Sequence, residues 1–357
     1  MRIEVIHSSE LDESLAERWR AIQTCNPELV SPYFAVEFTQ AVAAVRSDVY
    51  IGVLESEGRS VGFFPHHRRA TRLARPIGLG LSDYHGLIVE PGLEWSAVDL
   101  LKGCGLVRWE FDHLIASQAP LQAFHDSVEG SPILTLTGGL DAYIERRKAL
   151  GDGQLKTVRR KIRSFERDFE TYRFIDNDTD PANLERVFAL KSSQCRSTGT
   201  FDYFSLNWTK ELVRRLHSIQ TPGFAGVLST LVANDQPIAL HFGLRSPRVW
   251  HWWFPTYEHS FRQYSPGLLI LWEMICHGAA TGLNHIDLGK GMSDYKSRFM
   301  TDEIAVATGV VSTPSLWNGL IRLSERMERL DRHPILRPVF YLPAGMTRRA
   351  RRRLRFD

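Results

Sequence analysis

The sequence predicts an α/β protein built from two halves with the same order of elements. Three observations point there. The chain has 357 residues, long for one domain and comfortable for two. Two β-hairpin patterns occur, each preceded by two helical stretches and followed by strand, helix and strand. The spacing agrees: Val61 precedes a helix at Glu94, and Ile238 a helix at Gly267, by about thirty residues each.

The first half opens with a strand, RIEVIH, and a helix from about Leu11 to Thr24 with Ser8 or Ser9 before it as a cap. A second helix is expected over Ala35 to Val45. VYIGVLESEGRSVGFFPHHRR reads as a hairpin, two apolar runs about the turn Ser56-Glu57-Gly58. Strands are expected near Pro76 to Leu79, Tyr84 to Val89 and Val107 to Leu114, with a helix over Glu94 to Lys102 and a short one over Pro120 to Ser127.

A charged helical stretch follows, broken at Gly151 and Gly153. Leu155, Val158, Ile162, Phe165 and Phe169 share one face, with Arg159, Arg160, Lys161 and Arg163 largely elsewhere. The second half then has helices over Pro181 to Cys195 and Asn207 to Ile219, and a hairpin turning at Asn234-Asp235-Gln236. After it come the strand RVWHWWFP, a helix over Gly267 to Thr281 and the strand HIDLG. The domains expected are residues 1–138, a connector over 139–170, a second domain over 171–314, and a terminal helix with an Arg-rich tail over 315–357.

Composition is that of a soluble globular protein, 43% hydrophobic and 24% charged. A net charge of +3, concentrated toward the tail, does not suggest nucleic acid. The four cysteines form no CxxC pair, which argues against structural zinc and fits a reducing compartment. The N-terminus has no apolar signal core, and the most apolar window, Ser265 to Leu283, contains Glu273 and His277. A cytoplasmic protein is expected, with the tail from Thr347 a candidate contact to anionic lipid or a membrane-bound synthase. His66-His67 with Arg68-Arg69 lie on a strand, where neighbours point to opposite faces, so no metal site is expected there.

The stretch Arg262 to Gly267 stands out. A helix start presents unpaired N–H groups and partial positive charge, which suit phosphate. Arg262 adds a charged donor, Pro266 fits the first turn, and Gly267 permits close approach. The same residues also make ordinary punctuation: serine cap, proline starter, glycine turn. The preceding aromatic strand, with Trp253 and Phe254, offers a wall for an extended ligand arm.

The order hairpin, strand, RQYSPG, helix, strand resembles the GNAT acyltransferase fold, in which such a loop binds the pyrophosphate of coenzyme A. YEHSFRQYSPGLLILWEMICHGAATGLNHIDLGKGMSDYKSRF is similar, more closely, to CelD-type acetyltransferases associated with cellulose and other bacterial polysaccharides. The matching pieces are Tyr264 to Leu268, Gly282, Asp287, Gly291, Tyr295, Lys296 and Phe299. CNPELVSPYFAVEF and RRKIRSFERDFE also resemble that family. Met292 stands where the family carries an acid, and Asp294 follows two residues later. Fem-type peptidyltransferases likewise pair two GNAT-like domains.

The resemblance implies tandem GNAT-like domains and an acyl-CoA co-substrate, acetyl-CoA or another, held by Arg262, Tyr264, Ser265, Gly267 and Leu268 with Trp253 and Phe254. The acceptor would be a hydroxyl or amine on a sugar or polysaccharide precursor. Tyr295 is the candidate general acid, Lys296 a binder of anionic acceptor or developing charge, and Asp287 their orienter. His241 and, less so, His251 are candidate bases on neighbouring strands. Asp83, Tyr84 and His85 are candidates for binding the acceptor. In the first half Pro91-Gly92 resembles a second helix start, but Glu90 and Glu94 would repel a pyrophosphate, so one CoA site per chain is expected. Two other readings stay open: an aminoacyl-tRNA-dependent transferase, and a catalytically silent subunit of a synthase.

Overall fold

The structure is a computed structural model describing residues 1–151, 154–169 and 171–314. The expected terminal helix and Arg-rich tail lie outside these residues, as do Gly153, Glu170 and the side chains of Leu155 and Arg159.

The first half runs β1 (Arg2–His7), α1 (Glu13–Cys25), α2 (Val36–Ala43), β2 (Val49–Ser56), β3 (Arg59–Arg68), β4 (Leu73–Pro76), β5 (Ile88–Val89), α3 (Ala97–Gly103), β6 (Arg108–Ile115) and β7 (His125–Thr135). Then come α4 (Gly139–Ala149) and α5 (Gln154–Asp168). The second half runs β8 (Tyr172–Ile175), α6 (Pro181–Thr198), α7 (Asn207–Ser218), β9 (Ala225–Ala233), β10 (Gln236–Arg245), β11 (Val249–His251), β12 (Phe254–Tyr257), α8 (Pro266–Ala280), β13 (His285–Asp287), α9 (Asp294–Phe299) and β14 (Asp302–Ser312).

The repeat is visible in the pairing. In the first half β1-β2-β3-β4 pair antiparallel in sequence, and β4 then runs parallel to β6. In the second half β8-β9-β10-β11 do the same, and β11 runs parallel to β13. Both hairpins turn through two successive residues of positive φ, Glu57 and Gly58 in one, Asn234 and Asp235 in the other. That handedness matches the twist of the paired strands.

The chain forms two compact units. One contains Met1–Arg18, Asp48–Val128 and the residues from Ala307; the other contains Trp19–Ser47 and Glu129–Val306. The chain passes between them four times, within α1 after Arg18, after Ser47, and inside β7 and β14. The first unit is packed about Leu54, Phe64, Leu100, Trp109 and Leu114, all buried. The core of the second is built on α8, whose Leu269, Ile270, Leu271, Met274 and Ile275 are buried against Trp250, Ile286 and Val227. A helix apolar on most of its circumference is covered on most of it.

Several expected elements differ. Pro76 to Leu79 is the end of β4 followed by a 3-10 turn at Leu79–Leu81, entered through Gly78 in the left-handed region. The strand expected from Tyr84 is confined to Ile88–Val89, with His85 in a single bridge to Leu114. The helix expected from Glu94 begins at Ala97, where the Ser96 hydroxyl accepts from the Asp99 amide and caps it. Pro120 to Ser127 is a 3-10 turn, Ala119–Phe124, that runs into β7.

Candidate active site

The second unit contains a parting of strands. β11 and β12 are one stretch interrupted at Trp252-Trp253. Before the interruption β11 lies parallel to β13, with Val249 opposite His285, Trp250 opposite Ile286 and His251 opposite Asp287. After it β12 is paired with β10, Phe254 opposite Phe242 and Tyr257 opposite Ala239. Two amides mark the break: Trp252 N donates to Asp287 O at 2.8 Å, and Trp253 N to His241 Nε2 at 3.1 Å. Gly243 of β10 lies beneath it; a Cβ there would stand 2.1 Å from His251 O and 2.5 Å from His241 Cε1.

His241 therefore pins the break. Its Nε2 accepts, so Nδ1 carries the proton of the neutral ring. The ring stacks on Trp252 with centroids 4.5 Å apart and planes 10° apart. Complete burial, with His251 nearby, pushes its pKa well below the ordinary value, so it is neutral near pH 7. His251 is also fully buried, its Nδ1 3.6 Å from Asp287 Oδ1.

Asp287 and Lys296 hold the turn that follows β13 from both sides. Asp287 Oδ1 accepts from Gly289 N at 2.7 Å and from Ser131 Oγ at 3.3 Å. Lys296 Nζ donates to Gly289 O at 2.9 Å and Lys290 O at 3.3 Å. Gly289 and Gly291 have φ of 73° and 91°, which only glycine adopts without strain. This turn leads into α9 and places Tyr295 at the edge of the core. Burial, against a smaller opposing effect of the Trp252 indole, pushes the Tyr295 phenol above its ordinary pKa and keeps it protonated.

The loop before α8 is a 3-10 turn, His259–Tyr264, ending at Ser265 with φ and ψ both 56°. In this left-handed conformation the Ser265 hydroxyl makes no capping bond. Its carbonyl accepts from Leu268 N at 2.8 Å and Leu269 N at 3.3 Å, which leaves the Gly267 amide without an acceptor from the cap. Pro266 occupies the first helical position.

The apolar face of α5 braces this loop. Tyr264 packs edge-on against Phe165 and Phe169, at 5.6 and 5.2 Å, and its hydroxyl donates to Asp168 Oδ2 at 3.1 Å. Phe169 also meets Phe261, and Lys161 Nζ donates to Gln263 O at 2.7 Å. Arg262 is exposed and 2.8 Å from His259 Nε2. Trp253 and Phe254 stack at 4.5 Å where β12 begins.

Two residues near the break escaped the sequence reading. Tyr33, in a buried 3-10 turn at Pro32–Phe34, meets His251 at 5.0 Å and Trp253 at 5.7 Å. Lys191 of α6 donates to Pro255 O at 3.1 Å, and burial lowers its pKa. The helical stripe Leu184, Val187, Phe188, Cys195 predicts a buried face, and Lys191 falls on it.

Asp83, Tyr84 and His85 belong to the other unit. Tyr84 and His85 are buried and Asp83 half-buried. That unit's own loop at Pro91-Gly92 does not start a helix: Glu90 beside it is ion-paired with Arg18 and, at 2.7 Å, with Arg59.

Residues 153–297 match the family model described as an acetyltransferase (GNAT) domain. No curated protein sequence matches the chain. Among solved structures, FemX is similar with a TM-score of 0.59 at 11% identity, over 90% of this chain and 100% of that one. The C-terminal domain (DUF2156) of a putative lysylphosphatidylglycerol synthetase from Agrobacterium fabrum gives 0.52 at 12% identity, over 87% and 96%. A tandem GNAT protein from the clavulanic acid biosynthesis pathway gives 0.47 at 11%, over 88% and 100%. The GNAT domain matched over residues 153–297 and the fold shared with these structures together support a GNAT-type acyltransferase.

Proposed function

We propose that the second unit binds an acyl-CoA, acetyl-CoA or a longer homologue, and transfers the acyl group to a hydroxyl or amine of a sugar or polysaccharide precursor. The observation that carries the donor assignment is the start of α8. Its left-handed, uncapped Ser265 and open Gly267 amide give an anion a backbone partner at the positive end of a helix. Arg262 supplies charge at the same loop. Trp253 and Phe254 flank the pantetheine arm as it runs toward the break between β11 and β12. The acceptor class rests on the resemblance of Tyr264 to Phe299 to CelD-type enzymes.

In this reading the acceptor oxygen or nitrogen attacks the thioester carbon, the C–S bond breaks, and Tyr295 gives its phenolic proton to the departing thiolate. The acceptor's own proton leaves to solvent. His241, its acceptor nitrogen taken by Trp253 N, positions the strand break. Asp287 and Lys296 position Tyr295 through the Gly289 turn.

A Cβ at Gly267 would meet only Tyr257 Cδ1, at an ordinary 3.7 Å, so the fold admits a side chain there. Gly267→Val should weaken acyl-CoA binding at least about tenfold, roughly 1.4 kcal/mol, with the circular dichroism unchanged. Undiminished affinity in the folded variant would make the loop a turn and nothing more. A second reading, aminoacyl-tRNA as donor, draws on the exposed Lys156, Arg160 and Arg163 of the helix that braces the loop. Binding of acetyl-CoA by the protein alone, free of RNA, separates the two.

A further inference from the structure

The first unit brings together three potential metal ligands. His85, in the loop before β5, and Asp112 and His113, on β6, each offer one ligand atom, and these atoms lie within 4.8 Å of one another. Two donors of a tetrahedral zinc ion, each at about 2.0–2.1 Å, are about 3.3–3.4 Å apart. Closing the set needs up to about 1.5 Å of side-chain movement.

The tautomer of His85 is decided by its neighbours. Nε2 lies 3.2 Å from the Ser82 carbonyl, which can only accept, and 3.0 Å from Ser82 Oγ. That hydroxyl spends its own proton on Ile77 O, at 2.6 Å, so it too accepts from the ring. Nε2 therefore carries the hydrogen, and Nδ1 presents its lone pair. Nδ1 faces Asp112 Oδ1 at 3.7 Å and takes only a long bond from His113 N, at 3.3 Å.

His113 meets a matching conflict. Nδ1 is 3.1 Å from Asp112 Oδ1, and Nε2 is 3.7 Å from Asp83 Oδ1. Either neutral tautomer points one lone pair at a carboxylate. With the hydrogen on Nε2 toward Asp83, Nδ1 is left facing the same spot as His85 Nδ1 and Asp112. His85 then has an outer hydrogen-bond partner for Nε2–H in Ser82, as metal-bound histidines do, and the Asp83 carboxylate brings its charge to 3.7 Å from His113 Nε2. The charges that act on His85 come from Asp112, His113 and Asp83, with no lysine or arginine among them.

We propose that His85 Nδ1, His113 Nδ1 and the Asp112 carboxylate bind one divalent transition-metal ion of the zinc type. Two imidazoles and a carboxylate favour such an ion over Mg²⁺ or Ca²⁺. Three protein ligands leave a fourth position, and Asp112, 39% exposed, puts it toward solvent. The ion fastens the loop after Ile77 to β6, within the first unit. Local spacing does not reveal the set, because His85 and Asp112 are far apart in the chain and neither belongs to a ligand-spaced motif.

The test is calorimetric titration of ZnCl₂ into the full chain after EDTA treatment and dialysis. One Zn²⁺ per chain is expected, with at least about tenfold weaker binding in Asp112→Asn and in His113→Gln, and a weakening of about tenfold in Asp83→Asn. Asp112 is partly exposed, so its isosteric variant keeps the fold, which circular dichroism verifies. Co²⁺ in place of Zn²⁺ should give the visible absorption of a tetrahedral nitrogen–oxygen site, lost in His113→Gln. No zinc uptake by the wild-type chain overturns the proposal. So does uptake with equal affinity in folded Asp112→Asn and His113→Gln.

Discussion

In the proposed reaction Tyr295 is the residue on which the acid chemistry turns. Burial raises its pKa, which suits a group that must hold its proton until a thiolate forms beside it. Tyr295→Phe keeps the ring against the core and removes only the proton. Acyl-CoA affinity should be retained while turnover falls by about 100-fold or more. A variant that turns over as fast as the wild type would reduce Tyr295 to packing. At this scale the sequence was readable where a residue type is unusual for its place. Gly291 was named through the family resemblance alone, and the turn it shares with Gly289 needed the structure. Lys191 could have been read from its place, as a lysine within an apolar helical stripe, but only if the stripe had been drawn through it. Ser265 could not be read: a serine before Pro-Gly looks like a side-chain cap, and only the backbone shows it left-handed and uncapped.

At the scale of elements, the break between β11 and β12 depends on Gly243. There β10 approaches so closely that a methyl group would run into the His251 carbonyl and the His241 ring. Gly243→Ala should therefore destabilise the unit by about 1–3 kcal/mol, read as a lower urea midpoint with unchanged slope. Unaltered stability would mean that the break can shift at no cost. The hairpins were legible because alternating apolar runs enclose turn residues, and short-range sequence settles both. β7 and β14 were not. HDSVEGSPILT begins with an exposed polar run and contains a proline, and its partner β13 lies far along the chain. A strand completed by distant residues leaves little local pattern. α5 was legible as an amphipathic helix, whereas the fact that its apolar face holds Tyr264 and Phe261 needed the structure.

For the whole molecule, buried neutral histidines set an acid limit. Burial lowers His66 to about 4, and His241 and His285 are lowered in the same direction. Unfolding returns each to about 6.5. Between those values the unfolded chain binds more protons, so stability is full above pH 6.5 and is lost as pH falls toward 4. Each such group adds a slope of up to about 1.4 kcal/mol per pH unit. Urea midpoints measured from pH 7.5 to 4.5 should decline through that window; midpoints that hold level or rise would contradict it.

The repeat raises the question of how many donor sites one chain carries. Both halves share one strand order, yet their loops differ. The second starts α8 at an uncapped serine, whereas the first places Glu90 beside Pro91-Gly92, tied to Arg18 and Arg59, and delays its short helix to Ala97. A carboxylate already neutralised by two arginines leaves them little attraction for pyrophosphate. The central claim is one acyl-CoA site, in the second unit, formed without RNA or partner. Isothermal titration of acetyl-CoA into the purified chain tests it most directly. One equivalent bound per chain, lost in Gly267→Val, is the predicted result; no binding, or two equivalents, would contradict it.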